Sequence, residues 1–323
     1  MKFIILTIPL IVGFILDCIL GDPYRLPHPI RAIGSLIAII EKQVRRKMPE
    51  NLRTGGVILS VFTLIFSVGV PMLILLICYI IDWRIGLIIE SIMCYYMICA
   101  KCLKNESMKV YEYIKNKDIE KARYSVSMIV GRDTEILDED GIIKATVETV
   151  AENTSDGVTA PLMYMAIFGA LGGFFYKAVN TMDSMIGYQN EKYADIGRFS
   201  AKLDDFLNFI PSRITAVTMI FSAYILGLDG KNAFRIWRRD RRNHDSPNSA
   251  QTESVCAGAL RIQLAGDAYY FGKLHKKQFI GDNIRNVENE DIVHANNLMY
   301  MTSIIVLICS VIFRGIVWGV ILK

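Results

Sequence analysis

Residues 55–81 read GGVILSVFTLIFSVGVPMLILLICYII and carry no charge. A hydrocarbon core about 30 Å thick takes about 20 helical residues to cross. A run this long needs either lipid or a very large core around it. The rest of the chain points to lipid. Its 323 residues are 52% hydrophobic and 21% charged, with a mean hydropathy of +0.33. That is too apolar for an ordinary water-soluble protein, so apolar and charged blocks must alternate along the chain. Pro71 can kink a membrane helix without disqualifying it.

Other apolar runs lie at 3–20, at 85–100 (interrupted by Glu90), at 157–179, at 214–228 and at 302–322 (interrupted by Arg314). The first does not read as a cleaved signal peptide: Lys2 is its only leading cation and no A-x-A-like site follows. Helical periodicity recurs at 30–47, 103–130 and 138–152, and no period-2 run bounded by turn signals points to a sheet. Residues 30–47 have an apolar stripe ending in a basic cluster, which suits an interfacial helix or a packing helix. The expected class is all-α: one polytopic membrane domain over 1–323, with about four to six embedded helices and helical loops between them.

Positive charge marks cytoplasmic loops. Residues 21–54, 101–156 and 230–301 carry seven, nine and eleven Lys/Arg, against one at 82–84 and four at 180–213. The expected location is the cytoplasmic membrane with the active site facing the cytoplasm. Six full spans would put 180–213 outside, away from the basic loops, although that segment is rich in polar chemistry. The run 157–179 contains Pro161, Gly169, Gly172 and Gly173. A broken or re-entrant helix there would bring 157–228 in from the cytoplasm as one hairpin-like unit. The net charge of +4 suits a protein beside anionic lipid, and no nucleic-acid partner is expected. Of seven cysteines, Cys99 and Cys102 form one C-x-x-C with no second pair to complete a zinc site. They read as packing residues.

Four polar clusters adjoin the apolar runs. LDCILGDPYRLPHP at 16–29 holds Asp17, Asp22, Arg25 and His28. AENTSDG at 151–157 places Glu152, Asn153 and Asp156 at the mouth of an apolar segment, where carboxylates are costly without a cation or a substrate. KAVNTMDSMIGYQNEKY at 177–193 follows, and then RRDRRNHDSPNSAQTE at 238–253. Carboxylates and amide oxygens are hard ligands suited to Mg²⁺, usually one or two carboxylates completed by substrate phosphates. Glu152, Asp156 and Asp183 are the candidates, with Asn153 and Asn180 as ligands or orienting groups. Lys177 and the arginines 238, 239, 241 and 242 could neutralise phosphate oxygens. Read alone, RRDRR is more simply a solvated basic face, ENTSDG a helix end with a turn, and His28 and His244 hydrogen-bonded loop residues. No Walker A motif, dinucleotide loop or H-E-x-x-H occurs.

In order and spacing, LDCILGDPYRLPHPIRAIG, VAENTSDGVTAPLMY, YKAVNTMDSMIGYQNEKY, LDDFLNFIPSR and HDSPNSAQTE…AGAL resemble the adenosylcobinamide-phosphate synthases of cobalamin biosynthesis, the CobD/CbiB family. The resemblance runs across nearly the whole chain and is weakest at 55–130. It implies an amide ligation. Adenosylcobyric acid would be joined through a corrinoid propionate to (R)-1-amino-2-propanol O-2-phosphate, or to ethanolamine phosphate, with ATP and Mg²⁺ as driving force. It also implies a place beside other membrane enzymes of nucleotide-loop assembly.

On that reading Glu152, Asp156 and Asp183 hold Mg²⁺, with Glu152 and Asp183 counted among the catalytic groups. Lys177, Arg213 and Arg239 contact phosphates. Asn153, Asn180, Ser184 and Asn248 orient substrate, with His28 beside them. His244 or Asp22 is the base that takes the amine's proton. Tyr188, Tyr269 and Tyr270 line the wide corrinoid site. Two rivals remain. Another membrane Mg²⁺ transferase would pair aspartates at i, i+4, but positions 179 and 187 around Asp183 are Val and Gly. A corrinoid carrier or assembly protein would show no ATP dependence.

Overall fold

A computed structural model describes residues 2–23, 27–188, 190–270 and 272–321. Among the described residues there are thirteen α-helices, and strands occur only in two short antiparallel pairs. The protein is all-α and polytopic. Among the described residues, four stretches are long and apolar enough to cross a membrane: Leu52–Ile81, Trp83–Lys115, Arg198–Ile225 and Glu290–Trp318. Two compact units emerge, each assembled from separate parts of the chain.

The first unit comprises residues 1–99, 160–208 and 307–323. It contains α1 (Lys2–Leu20), α2 (Pro29–Lys47), α3 (Leu52–Ile81) and α4 (Trp83–Tyr96). To these it adds α8 (Ala160–Phe168), α9 (Ala170–Ile186), the start of α10 (Arg198–Ile225) and the end of α13 (Glu290–Ile321). Asn51 caps α3 by accepting from the Thr54 N–H, and Asp82 ends it and opens α4 by accepting from the Arg84 N–H. The outer row of α3, including Ile65, Phe66, Leu73 and Ile80, is more than half exposed to what would be lipid, except Phe66 at the half-way mark. Its inner row of Leu59, Ser60, Thr63 and Ser67 is buried, and α3 packs on α2, α4 and α9. Helix α2 buries Ile33, Ile37 and Val44 and packs on α3 and α9, so it is a packing helix.

The run 157–179 is broken, as its glycines predict. Helix α8 stops at Phe168, Gly169 adopts φ +63°, and α9 begins and packs back on α8. A side chain at Gly169 would be strained and would strike the Glu90 carboxylate. The two charges that interrupted apolar runs service this break. Arg314 donates to the Met165 and Ala166 carbonyls at 3.2 and 3.3 Å and to the Leu6 carbonyl at 2.7 Å. Glu90 lies 3.9 Å from the same guanidinium, accepts from the Tyr79 hydroxyl at 2.6 Å and faces the Ala170 N–H at 3.4 Å. A cation on helix-end carbonyls and an anion on a helix start complement the two backbone dipoles.

The second unit comprises residues 100–159 and 209–306. It contains α5 (Ala100–Lys115), α6 (Ile119–Ser127), α7 (Glu139–Asn153), the rest of α10, α11 (Gly230–Asp240), α12 (Ser249–Leu260) and the first part of α13. Helix α7, opened by Asp138 accepting from the Gly141 N–H, is central and packs on α5, α6 and α12. All twelve residues of α12 are buried, although Ser249, Gln251, Thr252, Glu253 and Ser254 are polar. Gly258 lets α12 meet α11, since a Cβ there would lie 2.7 Å from the Ala233 Cα. Strands β1 (Leu264–Ala265) and β4 (Phe279–Ile280) pair, as do β2 (Ala268–Tyr270) and β3 (Lys273–His275). The sequence reading expected no sheet. These strands are two or three residues long and show no alternation to detect.

Residues 157–228, expected to form one hairpin-like unit, are divided between the two units, with cuts after Thr159 and Asn208. LDDFLNFIPSR is the first half of the continuous helix α10, which carries Pro211 within it.

Candidate active site

The candidate residues fall into two groups, one in each unit. In the first unit, Asp22 follows α1 and lies 3.3 Å from the Nε2 of His28. His28 caps α2: its Nδ1 accepts from the Ile30 N–H at 3.2 Å, and its ring meets Tyr96 edge-on. A ring that accepts at Nδ1 carries its proton at Nε2 when neutral, so His28 donates to the Asp22 carboxylate. Arg25 lies outside the described residues. Helix α9 carries Lys177, Asn180, Asp183 and Ser184 at helical spacing. Lys177, Asn180 and Asp183 are half-buried and Ser184 is exposed. The Ser184 hydroxyl donates to the Asn180 carbonyl. Tyr188 is 37% exposed and rests on Tyr193.

The second unit is denser. Residues Thr154–Thr159 form a π-helix, a rare form that is common at functional sites. ENTSDG is therefore not a helix end with a turn: α7 stops at Asn153 and the π-helix carries the chain on through Asp156 into α8. Glu148 and Glu152 are four residues apart and lie one turn apart on α7. Glu152 accepts from the Ser249 hydroxyl at 2.7 Å. Glu148 pairs with Arg132 and accepts from the Ala265 N–H at 2.7 Å. Glu253 on α12 is 5% exposed, and Glu152 and Glu148 act on it electrostatically. Burial, and then those two neighbours, push its carboxyl well above the usual carboxylate range.

His244 precedes α12. Burial lowers its pKa, against the opposing pull of Glu152. Its Nδ1 accepts from the Ser246 N–H at 3.0 Å, so the neutral ring presents Nε2–H as a donor. That geometry suits a hydrogen-bond donor better than a base.

The arginines divide by what holds them. Arg239 grips Asp240 through two hydrogen bonds, at 2.6 and 2.8 Å, and Asp282 at 2.7 Å, which raise its pKa. Two carboxylates answer its charge. Among the described residues, the hydrogen bonds of Arg213 go to neutral acceptors: Asn248 Oδ1 at 2.8 Å, the Phe209 carbonyl at 2.7 Å, the Pro247 carbonyl at 3.1 Å and the Ser212 hydroxyl at 3.0 Å. Asn248 also accepts from Ser212. Tyr269 is 41% exposed, and the Tyr270 hydroxyl accepts from Lys277 at 2.8 Å. Asn153 donates to the Thr149 carbonyl.

Carboxylate and amide oxygens make this a hard donor set, which fits Mg²⁺. Among the described residues, no three His, Cys, Asp or Glu side chains stand ready to hold a metal by themselves. Such an ion would take its remaining ligands from substrate phosphates and water. Ser249 and Glu253 lie inside the polar cluster 238–253 that the sequence singles out, but without an assigned role, and Arg132, Glu148 and Lys277 were not singled out as site residues.

The family profile described as CobD/Cbib protein matches residues 10–299. Proteins named cobalamin biosynthesis protein CobD are similar along almost their whole length. The one from Clostridium perfringens is 48% identical over 309 residues, covering 96% of this chain and 98% of that protein. The one from Pelobacter propionicus is 42% identical, covering 96% of each. The one from Listeria monocytogenes serovar 1/2a is 44% identical, covering 92% and 94%. No solved structure matches the chain. The chain belongs to the CobD/CbiB family of cobalamin biosynthesis proteins.

Proposed function

We propose that this protein is an adenosylcobinamide-phosphate synthase. It joins adenosylcobyric acid to (R)-1-amino-2-propanol O-2-phosphate, or to ethanolamine phosphate, through an ATP-dependent amide ligation at the cytoplasmic face of the membrane. The observation that carries the reading is the second unit's polar cluster. Glu152 and Glu148 of α7 act on both His244 and the buried Glu253 of α12, and Arg213 is held by neutral acceptors so that its charge is available to an anion. Family membership supports the same reading.

An amide forms from a carboxylate and an amine only after one carboxylate oxygen is made a leaving group. Phosphoryl or adenylyl transfer from ATP does this, and its catalysis is mostly positioning and charge neutralisation. Mg²⁺ would supply part of that neutralisation, with Glu152 and Asp156 of the second unit as the carboxylates to hold it. Arg213 and Lys177 bind phosphate oxygens. Asn248, which orients Arg213, and Asn153, Asn180 and Ser184 align the substrates. The amine must shed a proton before it attacks. Asp22, held by His28, is the better acceptor, while His244 donates a hydrogen bond from Nε2. The open faces of Tyr188 and Tyr269, with Tyr270, offer stacking surface for a corrinoid.

The test is a direct assay in nanodiscs with adenosylcobyric acid, ATP, Mg²⁺ and either amine, read by mass spectrometry. The expected product is a corrinoid with one added amide, with ADP or AMP identifying the activation step. Bound corrinoid with no amide from either amine would overturn the reading in favour of a carrier.

A further inference from the structure

Three arginines of the second unit gather at the turn between α11 and α12. Arg213 on α10 donates to the Pro247 carbonyl at 3.1 Å and to Asn248 Oδ1 at 2.8 Å. Arg241 is the C-cap of α11, and its guanidinium lies over the Trp237 ring, 4.8 Å from the centroid. Arg242 follows it. Gln251, only 3% exposed, fastens these pieces together. Its Nε2 donates to the Arg241 carbonyl at 3.2 Å and to the Pro247 carbonyl at 3.5 Å, and its Oε1 accepts from Trp237 Nε1 at 3.0 Å. The Pro247 carbonyl therefore takes bonds from both Gln251 and Arg213. The charges of Arg241 and Arg242 reach Arg213.

Among the described residues, none of the three forms an ion pair, not even with Asp245 in the same loop. Arg235 and Arg239 of α11, by contrast, both pair with Asp282. Cations held together without a counter-charge raise each other's energy, and an anion among them relieves it. The three are open to one: Arg213 and Arg241 are half-buried and Arg242 is exposed. A guanidinium has five N–H donors. Arg213 uses Nη1 and one proton of Nη2 on the protein, which leaves Nε–H and a second Nη2 proton for a ligand.

The number of charges narrows the anion. A single phosphate monoester carries about 1.5–2 negative charges at neutral pH, fewer than three guanidiniums bring. A polyphosphate chain can answer all three. The next residue points the same way. Ser249, after Asn248, donates to Glu152 at 2.7 Å, and Glu152 is a carboxylate that the proposed reading gives to Mg²⁺. Such carboxylates hold the ion together with substrate phosphates.

We infer that Arg213, Arg241 and Arg242 form one binding site for a polyphosphate, the triphosphate of the nucleotide co-substrate and not the single phosphate of the amino alcohol. Arg213 anchors the site, Arg241 and Arg242 complete it, and Gln251 sets their position. This deepens the ligation reading and rests on it for the identity of the nucleotide.

The test titrates the full-length protein, in phosphatidylcholine nanodiscs with Mg²⁺ and without corrinoid or amine, with inorganic triphosphate, read by calorimetry. The wild type should bind triphosphate at least ~10-fold more tightly than inorganic phosphate. Arg241→Gln and Arg242→Gln should each weaken triphosphate about tenfold, the worth of a hydrogen bond to a charged group. Lys231→Gln, which removes an exposed cation at the start of the same helix, should change it less than about twofold. Soluble dihexanoyl phosphatidylglycerol should not displace the triphosphate. No triphosphate binding, or equal affinity for phosphate and triphosphate, would overturn the inference. So would unchanged binding in both arginine variants, or an equal loss in Lys231→Gln. Displacement by the short-chain lipid would assign the arginines to lipid head groups and overturn it as well. Since no amide is measured, any of these failures leaves the ligation reading standing. Triphosphate bound as expected by a protein that forms no amide fails the ligation reading alone.

Discussion

Glu90 and Glu253 are both carboxylates largely withdrawn from water, and their surroundings are opposite. Glu90, in the first unit, meets the Tyr79 hydroxyl, the Arg314 guanidinium and the start of α9. Arg314 in turn spends its other donors on backbone carbonyls. Glu253, in the second unit, is beside two more carboxylates, which push its pKa up as burial does. A buried charge with every bond answered serves the fold. A buried carboxyl crowded by others is poised to exchange protons or to take up a cation, and such groups mark reactive sites.

The largest effects should fall on turnover. Asp156→Asn and Asp183→Asn should each lower amide formation by at least ~10²-fold, the usual scale for an electrostatic or acid–base group. Membrane insertion should be unchanged. Normal activity in both, measured in the nanodisc assay, would remove the metal-site reading.

Next comes the fold itself. Arg314→Met leaves Glu90 without its cation and should cost about 3–5 kcal/mol, since breaking a buried pair strands a charge. Adding Glu90→Gln should recover part of that loss. Thermal melting in detergent tests this, and a double variant no more stable than Arg314→Met would contradict it.

A smaller effect belongs to Glu253. Its folded pKa is raised above its unfolded value near 4.5. Its stabilising contribution is therefore complete below about 4.5 and is lost as pH rises through the raised value. Glu253→Gln should flatten that decline in a series of melting curves from pH 5 to 9. His244 works in the other direction: its lowered pKa makes acidification below about 6.5 destabilising. Smallest of all, Cys99→Ser with Cys102→Ser should leave activity within a factor of about two. A clear loss would revive a metal or redox role for the C-x-x-C.

Much of this was legible in the residues. The uncharged run at 55–81 appears as α3, and the glycines of 157–179 mark the break that Gly169 makes. Glu148 and Glu152 share a face because helical spacing puts them there. The π-helix at Thr154–Thr159 was not legible, because no residue pattern distinguishes it from an α-helix end. Glu253 was hidden for a related reason. SAQTES has the composition of an exposed segment, and only packing against α7 and α11 turns it into a buried helix. The partners of Arg239 and Arg213 were equally out of reach. Both are arginines in polar stretches; Arg239 pairs with its neighbour Asp240, but its distant partner Asp282 and the neutral oxygens around Arg213 are set by tertiary contacts.

The most direct measurement is amide formation by Glu152→Gln beside Arg314→Met/Glu90→Gln, with a melting temperature for each. Glu152 joins α7 to the start of α12 through Ser249, at the centre of the cluster assigned to chemistry. The account predicts that Glu152→Gln loses at least ~10²-fold in turnover with a melting temperature close to the wild type. The charge-free pair should melt earlier and still turn over. Wild-type turnover in Glu152→Gln would contradict the account, because the chemistry would then lie outside the second unit's carboxylates.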